Sequence, residues 1–508
     1  MKSKGSKDYW RSGRLKGGLD KNTLKFISSM DEDKRIADAD IRVNEAHILM
    51  LHKQGLIGRV ESVKVLKALE KARKELEKGV IFQDYQDKYV DIHQLIEQYV
   101  LDYCGVKVGG KLHLAKSRND QVMTDLRIYL RREVLDIIEL VLGLNNVLLS
   151  VSRKYKNAVM PGYTHTQQAQ VTTYSHYLLS YVDTLSNDLM RLFEAFSRIN
   201  LSPLGAGALA GSRVNIDRRY TSKLLGFDGM VENNIEAVSS KDFILEIGSV
   251  LAILMTTLSR IASDLVFWST SELNMIELSD EFSDISSAMP QKKNPDSMEM
   301  IRSKAANVLA SSYNLFTITN GLITGYHKDF QELKPALWRI VDDVKSSLGI
   351  MKQAIKTLKI KRDMMAHLVV KGNITALDLA EFLAKEGSLS FREGHFLVGS
   401  LVKHVISTGS DLTMIDSRLL EMVARRELKK KVVVSDKVLK KVVDPVQSIS
   451  ARSNIGSPRP REVGRMIKSR EDRTKRLRKL LSEKNDKIKL SEKRFKSLVA
   501  GKLAAKRR

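Results

Sequence analysis

Residues 286–299 bring hydroxyl groups, ammonium groups and a helix start into one short stretch of chain. The side chains that could do chemistry there are two serines, two lysines and an Asn-Pro pair: Ser286, Ser287, Lys292, Lys293, Asn294 and Pro295. Asparagine caps helices well and proline fits the first helical position, so a helix is predicted to begin at Pro295. Its free N–H groups and positive dipole end would face the lysines and attract an anion. A capped surface turn with solvated lysines is the simpler explanation on local physics alone.

Two earlier stretches also hold polar side chains of catalytic type. Ser117, Arg118 and Asn119 open a long segment of helical periodicity, and Ser117 is predicted to be its N-cap. Thr164 and His165 follow a Pro-Gly-Tyr run. Histidine can transfer protons near neutral pH, but a lone histidine in a loop is more often a residue with local hydrogen bonds and no catalytic role.

The three stretches, in this order, resemble the three signature regions of the fumarase/aspartase superfamily. They read Lys-Leu-His-Leu-Ala-Lys-Ser-Arg-Asn-Asp-Gln at 111–121, Pro-Gly-Tyr-Thr-His-Thr-Gln-Gln-Ala-Gln at 161–170 and Ser-Ser-Ala-Met-Pro-Gln-Lys-Lys-Asn-Pro at 286–295. Members of that superfamily split a C–N or C–O bond beta to a carboxylate and release fumarate. The Ser-Arg-Asn-Asp and Gln-Lys-Lys-Asn runs resemble the argininosuccinate lyases, whose products are fumarate and arginine in arginine biosynthesis. The resemblance extends from about Trp10 to about residue 468.

The resemblance implies roles for five side chains. Elimination removes a poorly acidic proton beside a carboxylate, so fixed donors must stabilise the charge that develops on that carboxylate. Ser286 matches the base, and Lys292 and Asn294 match the donors to the carboxylate. His165 matches the group that protonates the leaving nitrogen. Glu299 matches the acid that orients His165, although a carboxylate in a first helical turn also stabilises the helix dipole.

Other positions match family residues that contact the substrate. The predicted substrate-binding residues are Ser29, Ser117, Arg118, Asn119, Thr164, Asn294, Tyr326, Gln331 and Lys334. Asp91 is either an acceptor for the guanidinium or a helix cap. The chain has no His-Glu-x-x-His run and no glycine-rich phosphate loop after a strand, so neither a metal nor another cofactor is predicted.

The expected fold is all-α, with three domains. Helical periodicity is predicted in five long segments, at 118–150, 168–199, 236–269, 295–320 and 332–360. The domains are predicted at 1–115, 116–367 and 368–508, the second being a bundle of long helices. The resemblance implies a homotetramer in which five helices from each subunit form a 20-helix core, and each active site draws on three subunits.

Four residues depart from the family pattern. Asp284-Ile285 stands where Thr-Gly usually precedes the serines, Lys241 replaces an expected arginine, and Leu333 replaces an expected aspartate. Lysine cannot reproduce the forked contact of arginine with a carboxylate. These changes affect the expected geometry of substrate binding rather than the reaction class.

Composition narrows the possible classes of protein. The single cysteine, Cys104, excludes a disulfide framework and fits a reducing, cytoplasmic location. The N-terminus lacks the apolar segment of a secretory signal. The most apolar stretch, 245–268, contains Glu246, Arg260 and Asp264, so no membrane span is predicted.

The formal net charge of +25 is concentrated at the C-terminus. Residues 459–508 hold 20 Lys/Arg against 6 Asp/Glu and supply +14 of it. Such a tail could contact the phosphates of nucleic acid, but its only aromatic residue is Phe495 and base stacking is not indicated. A solvated basic helix is therefore the favoured prediction, and removal of 477–508 is expected to leave turnover largely intact.

Two other functions stay open at this stage. Adenylosuccinate lyase belongs to the same superfamily, but it would be expected to read Tyr-Lys-Arg-Asn in the loop. A non-catalytic structural protein on this fold, as the delta-crystallins illustrate, would also carry much of the pattern. The presence of all the matched catalytic residues favours an enzyme.

Overall fold

The computed structural model describes residues 14–15, 18–81, 88–386 and 389–504, and they are mainly helical. Trp10, near which the family resemblance begins, lies outside the described residues. The N-terminal helices are α1 Lys21–Ile27, α2 Met30–Asp33, α3 Ala37–Lys53, α4 Arg59–Glu77, α5 Ile92–Cys104 and α6 Val106–Gly109. Gly55, with a φ of 72°, ends the turn after α3, and Gly58 is the N-cap of α4.

Long helices dominate the middle of the chain. The central helices are α7 Arg118–Lys154, α8 Tyr174–Ile199, α9 Arg218–Leu224, α10 Asn234–Ser239, α11 Asp242–Trp268, α12 Asp296–Thr319 and α13 Leu333–Thr357. All five predicted long helices are present. The predicted helix starts at residues 168 and 236 are wrong. Residues 167–173 form a strand, and the chain becomes extended at Ser240 between α10 and α11.

Helix α11 lies at the centre of the bundle and packs against α8, α12 and α13. Apolar residues recur in α11 at intervals of four and three and form a buried seam, since Ile247, Leu251, Leu254 and Trp268 are all at most 1% exposed. A Cβ on Gly248 would lie 2.7 Å from Leu315 Cδ1, so a larger residue would require the Leu315 side chain to shift. The helix is strongly apolar because this seam is packed inside the bundle.

Two of these helices, α7 and α11, are long and apolar enough to cross a membrane by length and composition alone. The charges within 245–268 therefore do not exclude a span by themselves, contrary to the sequence-based argument. In each helix, 56% of the most apolar window is buried inside the bundle. Core helices of globular proteins have the same composition, and packing accounts for the apolar residues here.

Short strands join the helices. Within the described residues the strands are β1 Val159–Thr164, β2 Gln167–Thr173, β3 Leu201–Ser202, β4 Gly229–Met230, β5 Ile276–Glu277, β6 Asp284–Ile285, β7 Lys293–Asn294 and β8 Lys359–Ile360. They pair as β1–β2, β5–β8 and β6–β7, all antiparallel, and as β3–β4, which is parallel. The all-α class is confirmed, and the β1–β2 and β6–β7 hairpins present two of the three signature regions.

The C-terminal region divides into two parts. Its helices are α14 Arg362–Lys371, α15 Ala376–Glu386, α16 Phe391–Ser407, α17 Ser417–Leu428, α18 Asp436–Val443, α19 Pro445–Ala451 and α20 Pro460–Ala504. Helices α15 to α18 enclose a separate core that includes Leu379, Leu397 and Leu420. Helix α20 instead returns to the main body and packs along α7 and α8. The domain boundaries 1–115, 116–367 and 368–508 stay a prediction.

The basic tail is a packed helix rather than a solvated one. One face of α20 is buried, with Val463, Leu481, Phe495 and Val499 between 0% and 7% exposed. Its opposite face carries most of the lysines and arginines. The sequence-based prediction used only the charge of this segment. It overlooked the apolar residues, which recur at helical spacing within the basic sequence.

Candidate active site

The signature loop is the turn of the β6–β7 hairpin, in which Asp284 pairs with Asn294. The Ser286 N–H donates to Lys292 O at 3.3 Å and closes the loop. The Ser286 Oγ accepts hydrogen bonds from the N–H groups of Ala288 and Met289, at 3.3 and 3.1 Å. Donors to this oxygen would stabilise it more strongly as an alkoxide than as a hydroxyl. The geometry thus suits Ser286 to lose a proton.

The helix after the loop begins one residue later than predicted. Asn294 lies in β7, and Pro295 occupies the N-cap position without a side-chain cap bond. Strand pairing of the Asn294 backbone, which the sequence did not reveal, prevents it from capping the helix. The first turn of α12 therefore keeps N–H groups that no side chain caps, and these favour a bound anion.

The two lysines of the loop have different surroundings. Lys293 forms ion pairs with Glu277 at 3.2 Å and Asp280 at 2.6 Å, and it lowers the pKa of Glu277. Lys292 is exposed and forms no ion pair with any described residue. It lines an open cleft of about 820 Å³ together with Asn294 and Glu299. Of the two ammonium groups, that of Lys292 is therefore available to a ligand.

His165 and Thr164 lie at the tip of the β1–β2 hairpin, and both are exposed. His165 and Thr166 have φ values of 52° and 59°, in the left-handed region that residues other than glycine rarely adopt. Among the described residues, the His165 ring forms no hydrogen bond. Backbone strain of this kind is typical of functional positions, and it presents the imidazole to the outside of the chain.

A third group of predicted residues lies where the N-terminal helices meet the bundle. Arg118 Nη1 donates to Asp91 Oδ2 at 2.8 Å. Asp91 is also the N-cap of α5 and accepts from the Gln94 N–H at 2.8 Å. Burial alone would raise the pKa of Asp91, but Arg118 and His93 hold it well below its usual range. Asp91 is thus a helix cap that also fixes Arg118.

Ser29 and Lys334 meet at one buried carboxylate. The Ser29 Oγ donates to Asp33 Oδ2 at 2.9 Å, and Lys334 Nζ donates to Asp33 Oδ1. The Ile92 N–H donates to Asp33 Oδ2 at 3.4 Å, which links this group to the Asp91 cap. The chain therefore brings Ser29, Arg118 and Lys334 into one region, as the resemblance implies.

The remaining predicted residues surround the same region. Ser117 caps α7 in a capping box with Asp120, as predicted, and Asn119 Nδ2 donates to Ala208 O at 3.1 Å. Tyr326 is largely buried, which raises its pKa. Gln331 lies in the 3₁₀ turn before α13, five residues after Tyr326 in the sequence.

Two departures from the family pattern have structural explanations. Lys241 is 4% exposed, donates to Val238 O and Ser239 O at 2.8 and 3.0 Å, and lies 3.8 Å from the Phe330 ring centre. Burial lowers the pKa of Lys241 to about 7. Its donors face the end of α10 rather than the open cleft. Leu333 is 1% exposed and packs in the core at the start of α13.

A buried network behind Arg118 was not predicted. His93 Nε2 lies 2.9 Å from Asp125 Oδ2 and 4.0 Å from Asp40 Oδ1, and its Nδ1 lies 3.6 Å from Asp91 Oδ1. Burial opposes a charge on this ring, but Asp40, Asp125 and Asp91 outweigh it and raise the pKa of His93 to about 10. The sequence offered no signal for this network, since Asp and His are common on exposed helix faces.

Asp40, His93 and Asp125 have the ligand types and mutual distances that a divalent cation needs. Both oxygens of Asp40, and Oδ2 of Asp125, already have hydrogen-bond partners, however. Asp40 accepts from Gln121 and from Asn44 Nδ2, the latter at 3.0 Å, and an imidazolium supplies positive charge between the carboxylates. The geometry favours a hydrogen-bonded structural network over a metal site.

The predicted residues form groups at opposite ends of the bundle. Gly248, near the start of α11, meets Leu315 near the end of α12 and Ile340 near the start of α13. The Arg118–Lys334 region is therefore near the C-terminal end of α12, whereas Lys292 and Glu299 lie at its beginning. Helix α12 has 24 residues, which corresponds to a length of about 36 Å. One chain alone cannot bring these groups to one substrate.

Comparison with known proteins places the chain in a family. A family described as "Lyase" matches residues 13–310, and one described as "Argininosuccinate lyase C-terminal" matches residues 373–450. Argininosuccinate lyase of Methanosarcina barkeri is 38% identical over 96% of this chain and 97% of its own. The chain belongs to the argininosuccinate lyase family. The family member of Nitrosopumilus maritimus is 40% identical over 94% of this chain and 96% of its own.

Solved structures agree with the family assignment. EDDS lyase in complex with formate has a TM-score of 0.87 at 28% identity, covering 96% of this chain and 97% of its own. Class II fumarase from Schistosoma mansoni has a TM-score of 0.68 at 16% identity, over 82% of this chain and 90% of its own, and so shares the fold. As an argininosuccinate lyase family member, the chain is a lyase.

Proposed function

We propose that this protein converts argininosuccinate to fumarate and arginine. The observation that carries the proposal is the family membership over more than nine-tenths of the chain, together with a serine loop in which Ser286 Oγ accepts two backbone N–H groups. The reaction is a step in arginine biosynthesis. A cytoplasmic location is part of the proposal and is supported by the single, buried, unpaired Cys104.

The first step is removal of a proton from the carbon beside a substrate carboxylate. The Ser286 alkoxide takes this proton, and the N–H groups of Ala288 and Met289 stabilise the alkoxide before the transfer. Lys292, Asn294 and the uncapped start of α12 stabilise the charge that moves onto the carboxylate. Because the backbone N–H groups of the loop and of the start of α12 are held in place before the reaction, they stabilise the transition state without reorganisation.

The second step breaks the C–N bond and releases the guanidinium of arginine. His165 donates a proton to the leaving nitrogen, and Glu299 orients its ring. Arg118 supplies a forked donor to a substrate carboxylate, and the Asp91 bond at 2.8 Å fixes its orientation. The site residues are proposals that rest on the resemblance and on this geometry.

We infer that the active enzyme is a homotetramer with sites shared between subunits. The serine loop and the Arg118–Lys334 region lie at opposite ends of α12, a helix about 36 Å long. In addition, α12 leaves apolar side chains uncovered in the single chain, with Met300, Leu309, Tyr313 and Phe316 between 44% and 71% exposed. A second helix packed on this face would bury them and bring the opposite ends of neighbouring chains together.

The function is tested by offering argininosuccinate and adenylosuccinate separately to the purified protein. Fumarate formation, followed by ultraviolet absorbance, is expected with argininosuccinate alone, and equally after treatment with EDTA. Arginine should appear in equal amount. Turnover of adenylosuccinate instead would assign the protein to the other lyase reaction, and no turnover of either would favour a non-catalytic role. Activity lost in EDTA and restored by one metal ion would overturn the mechanism given above.

A further inference from the structure

A groove of about 1000 Å³ runs between α9 and the C-terminal half of α20. It contains none of the candidate catalytic residues. The two walls are joined where the Ser491 Oγ donates to Lys223 O at 3.2 Å. On α20 the groove is lined from Lys487 to Leu498, a stretch of about three helical turns and 16 Å.

The floor of the groove is apolar. Phe227 and Phe495 are 6% and 3% exposed and close its base. Leu490 and Leu498 stand on one face of α20, two turns apart, and remain 49% and 36% exposed. Leucines in this spacing leave an apolar strip open to a partner.

Cations stand on both sides of this strip. Arg219 and Lys223 belong to α9, and Lys487 and Arg494 belong to α20. Asp228 pairs with Lys487. Arg219, Lys223 and Arg494 form no ion pair with any described residue. The groove therefore combines an apolar floor with an excess of positive charge on two walls.

We propose that this groove binds an amphipathic acidic helix of a partner protein. An apolar stripe on such a helix would cover Leu490 and Leu498, and acidic residues on either side of the stripe would face Arg219 and Arg494. A small monoanion carries its charge at one point and would leave one wall without a counter-charge. The chain's own first 13 residues hold Lys2, Lys4, Lys7 and Arg11 against Asp8, so their charge does not complement the groove.

Nucleic acid fits the groove less well than a helix does. Phosphates would match the cations, but bases need exposed rings on which to stack. Phe227 and Phe495 are buried, and the Tyr220 ring is covered by Lys53 Nζ at 4.1 Å. The exposed apolar groups are leucines, which suit an apolar helix face.

The test uses the full-length protein and a fluorescein-labelled synthetic peptide of about 14 residues. The peptide carries leucines at i, i+4 and i+7 with glutamates on both flanks, and a peptide of the same composition in scrambled order is the reference. Binding is measured by fluorescence anisotropy. Two groove variants are compared, Arg219→Glu with Arg494→Glu, and Leu490→Ser with Leu498→Ser. The matched control reverses two exposed cations elsewhere on α20, Lys475→Glu with Arg476→Glu.

The expected result is saturable binding of the patterned peptide, at least about tenfold tighter than the scrambled one. Both groove variants should weaken it about tenfold or more, whereas the control variant should stay within about twofold. All substituted side chains are solvent-exposed, and circular dichroism checks that each variant is folded. Equal binding of the two peptides would overturn the proposal, as would groove variants that bind like wild type. Equal weakening by the control, with displacement by single-stranded DNA, would show a general polyanion surface instead.

Discussion

Lys334 and Asp33 form an ion pair that is almost completely buried, with 3% and 0% of their side chains exposed. The pair ties the start of α13 to the N-terminal helices, and Ser29 donates to the same carboxylate. Two predicted substrate-binding residues are thus part of the connection between domains. Their replacement affects stability as well as substrate binding.

Lys334→Met should lower the melting temperature and raise KM together. Loss of one partner of a buried ion pair costs about 3–5 kcal/mol, because the other charge stays buried without compensation. Gln331→Ala is the matched control, since Gln331 is only partly buried and its loss should raise KM alone. Thermal unfolding and steady-state kinetics measure both effects. An unchanged melting temperature in Lys334→Met would show that the pair has no structural role.

Ser286→Ala should reduce kcat by about 10²–10⁴-fold, the usual range for a positioned base. KM should change little, because Lys292, Asn294 and the start of α12 remain to bind the carboxylate. Ser287→Ala is the matched control. Ser287 is exposed and forms no hydrogen bond with a described residue, so its loss should cost far less. Equal losses for both serines would mean that the loop only closes the site and that another group, with His165 the next candidate, is the base.

The His93 network predicts a pH-dependent contribution to stability. Its pKa is raised from 6.5 to about 10 on folding, so the folded chain holds a proton that the unfolded chain releases. This stabilisation is fully present below pH 6.5 and is lost as the pH rises towards 10. Urea unfolding of wild type and His93→Gln between pH 6 and 10 measures it.

The difference in unfolding free energy between wild type and His93→Gln should be largest at pH 6 and shrink towards pH 10. Using this difference removes the contributions of other groups, such as Lys241, whose lowered pKa acts in the opposite direction. A difference that is constant with pH would show that His93 is neutral in the folded protein. Reduced activity with an altered KM would additionally support its role in positioning Arg118 through Asp91.

Glu492 connects α20 to the rest of the protein and should be important for stability. It accepts from Arg42 and Arg132 at 3.0 and 2.8 Å, and Arg42 is only 5% exposed. Glu492→Gln should lower the unfolding free energy by about 1.5–3 kcal/mol. Glu483→Gln, on the exposed face, should leave it unchanged.

Removal of 477–508 should destabilise the protein, because the apolar face of α20 is packed against the bundle. The sequence-based expectation of largely intact turnover assumed a solvated helix, and the structure shows a packed one. Differential scanning calorimetry of the truncated chain measures it. A melting temperature equal to that of the full chain would show that α20 contributes nothing to the fold.

The sequence predicted the fold well in the long segments where apolar residues recur at helical spacing. The buried seam of α11 follows its heptad-like spacing, and Ser117 caps α7 as its position indicated. Prediction failed where tertiary pairing decides the structure. Residues 167–173 form a strand because they pair with β1, and α20 is packed because its apolar stripe meets α7.

Motif resemblance proposes Ser286, Lys292 and Arg118 as site residues but does not show how they are arranged. In the structure, Ser286 and Arg118 have defined hydrogen-bond partners. Motif resemblance could not reveal the roles of Asp33 and His93, because the partners of these residues are distant in sequence. Nor could spacing along the chain show that the groups lie at opposite ends of the bundle.

The central claim is that argininosuccinate is cleaved at a site assembled from different subunits, and mixing two inactive variants tests it most directly. Ser286→Ala and Arg118→Gln, each inactive alone, are denatured together, refolded and checked for mixed tetramers by native mass spectrometry. If the two groups of a site come from different chains, about a quarter of the sites in random hybrids contain both intact groups. Fumarate formation should therefore recover to about that fraction of wild type. Mixed tetramers that form but remain inactive would contradict the account.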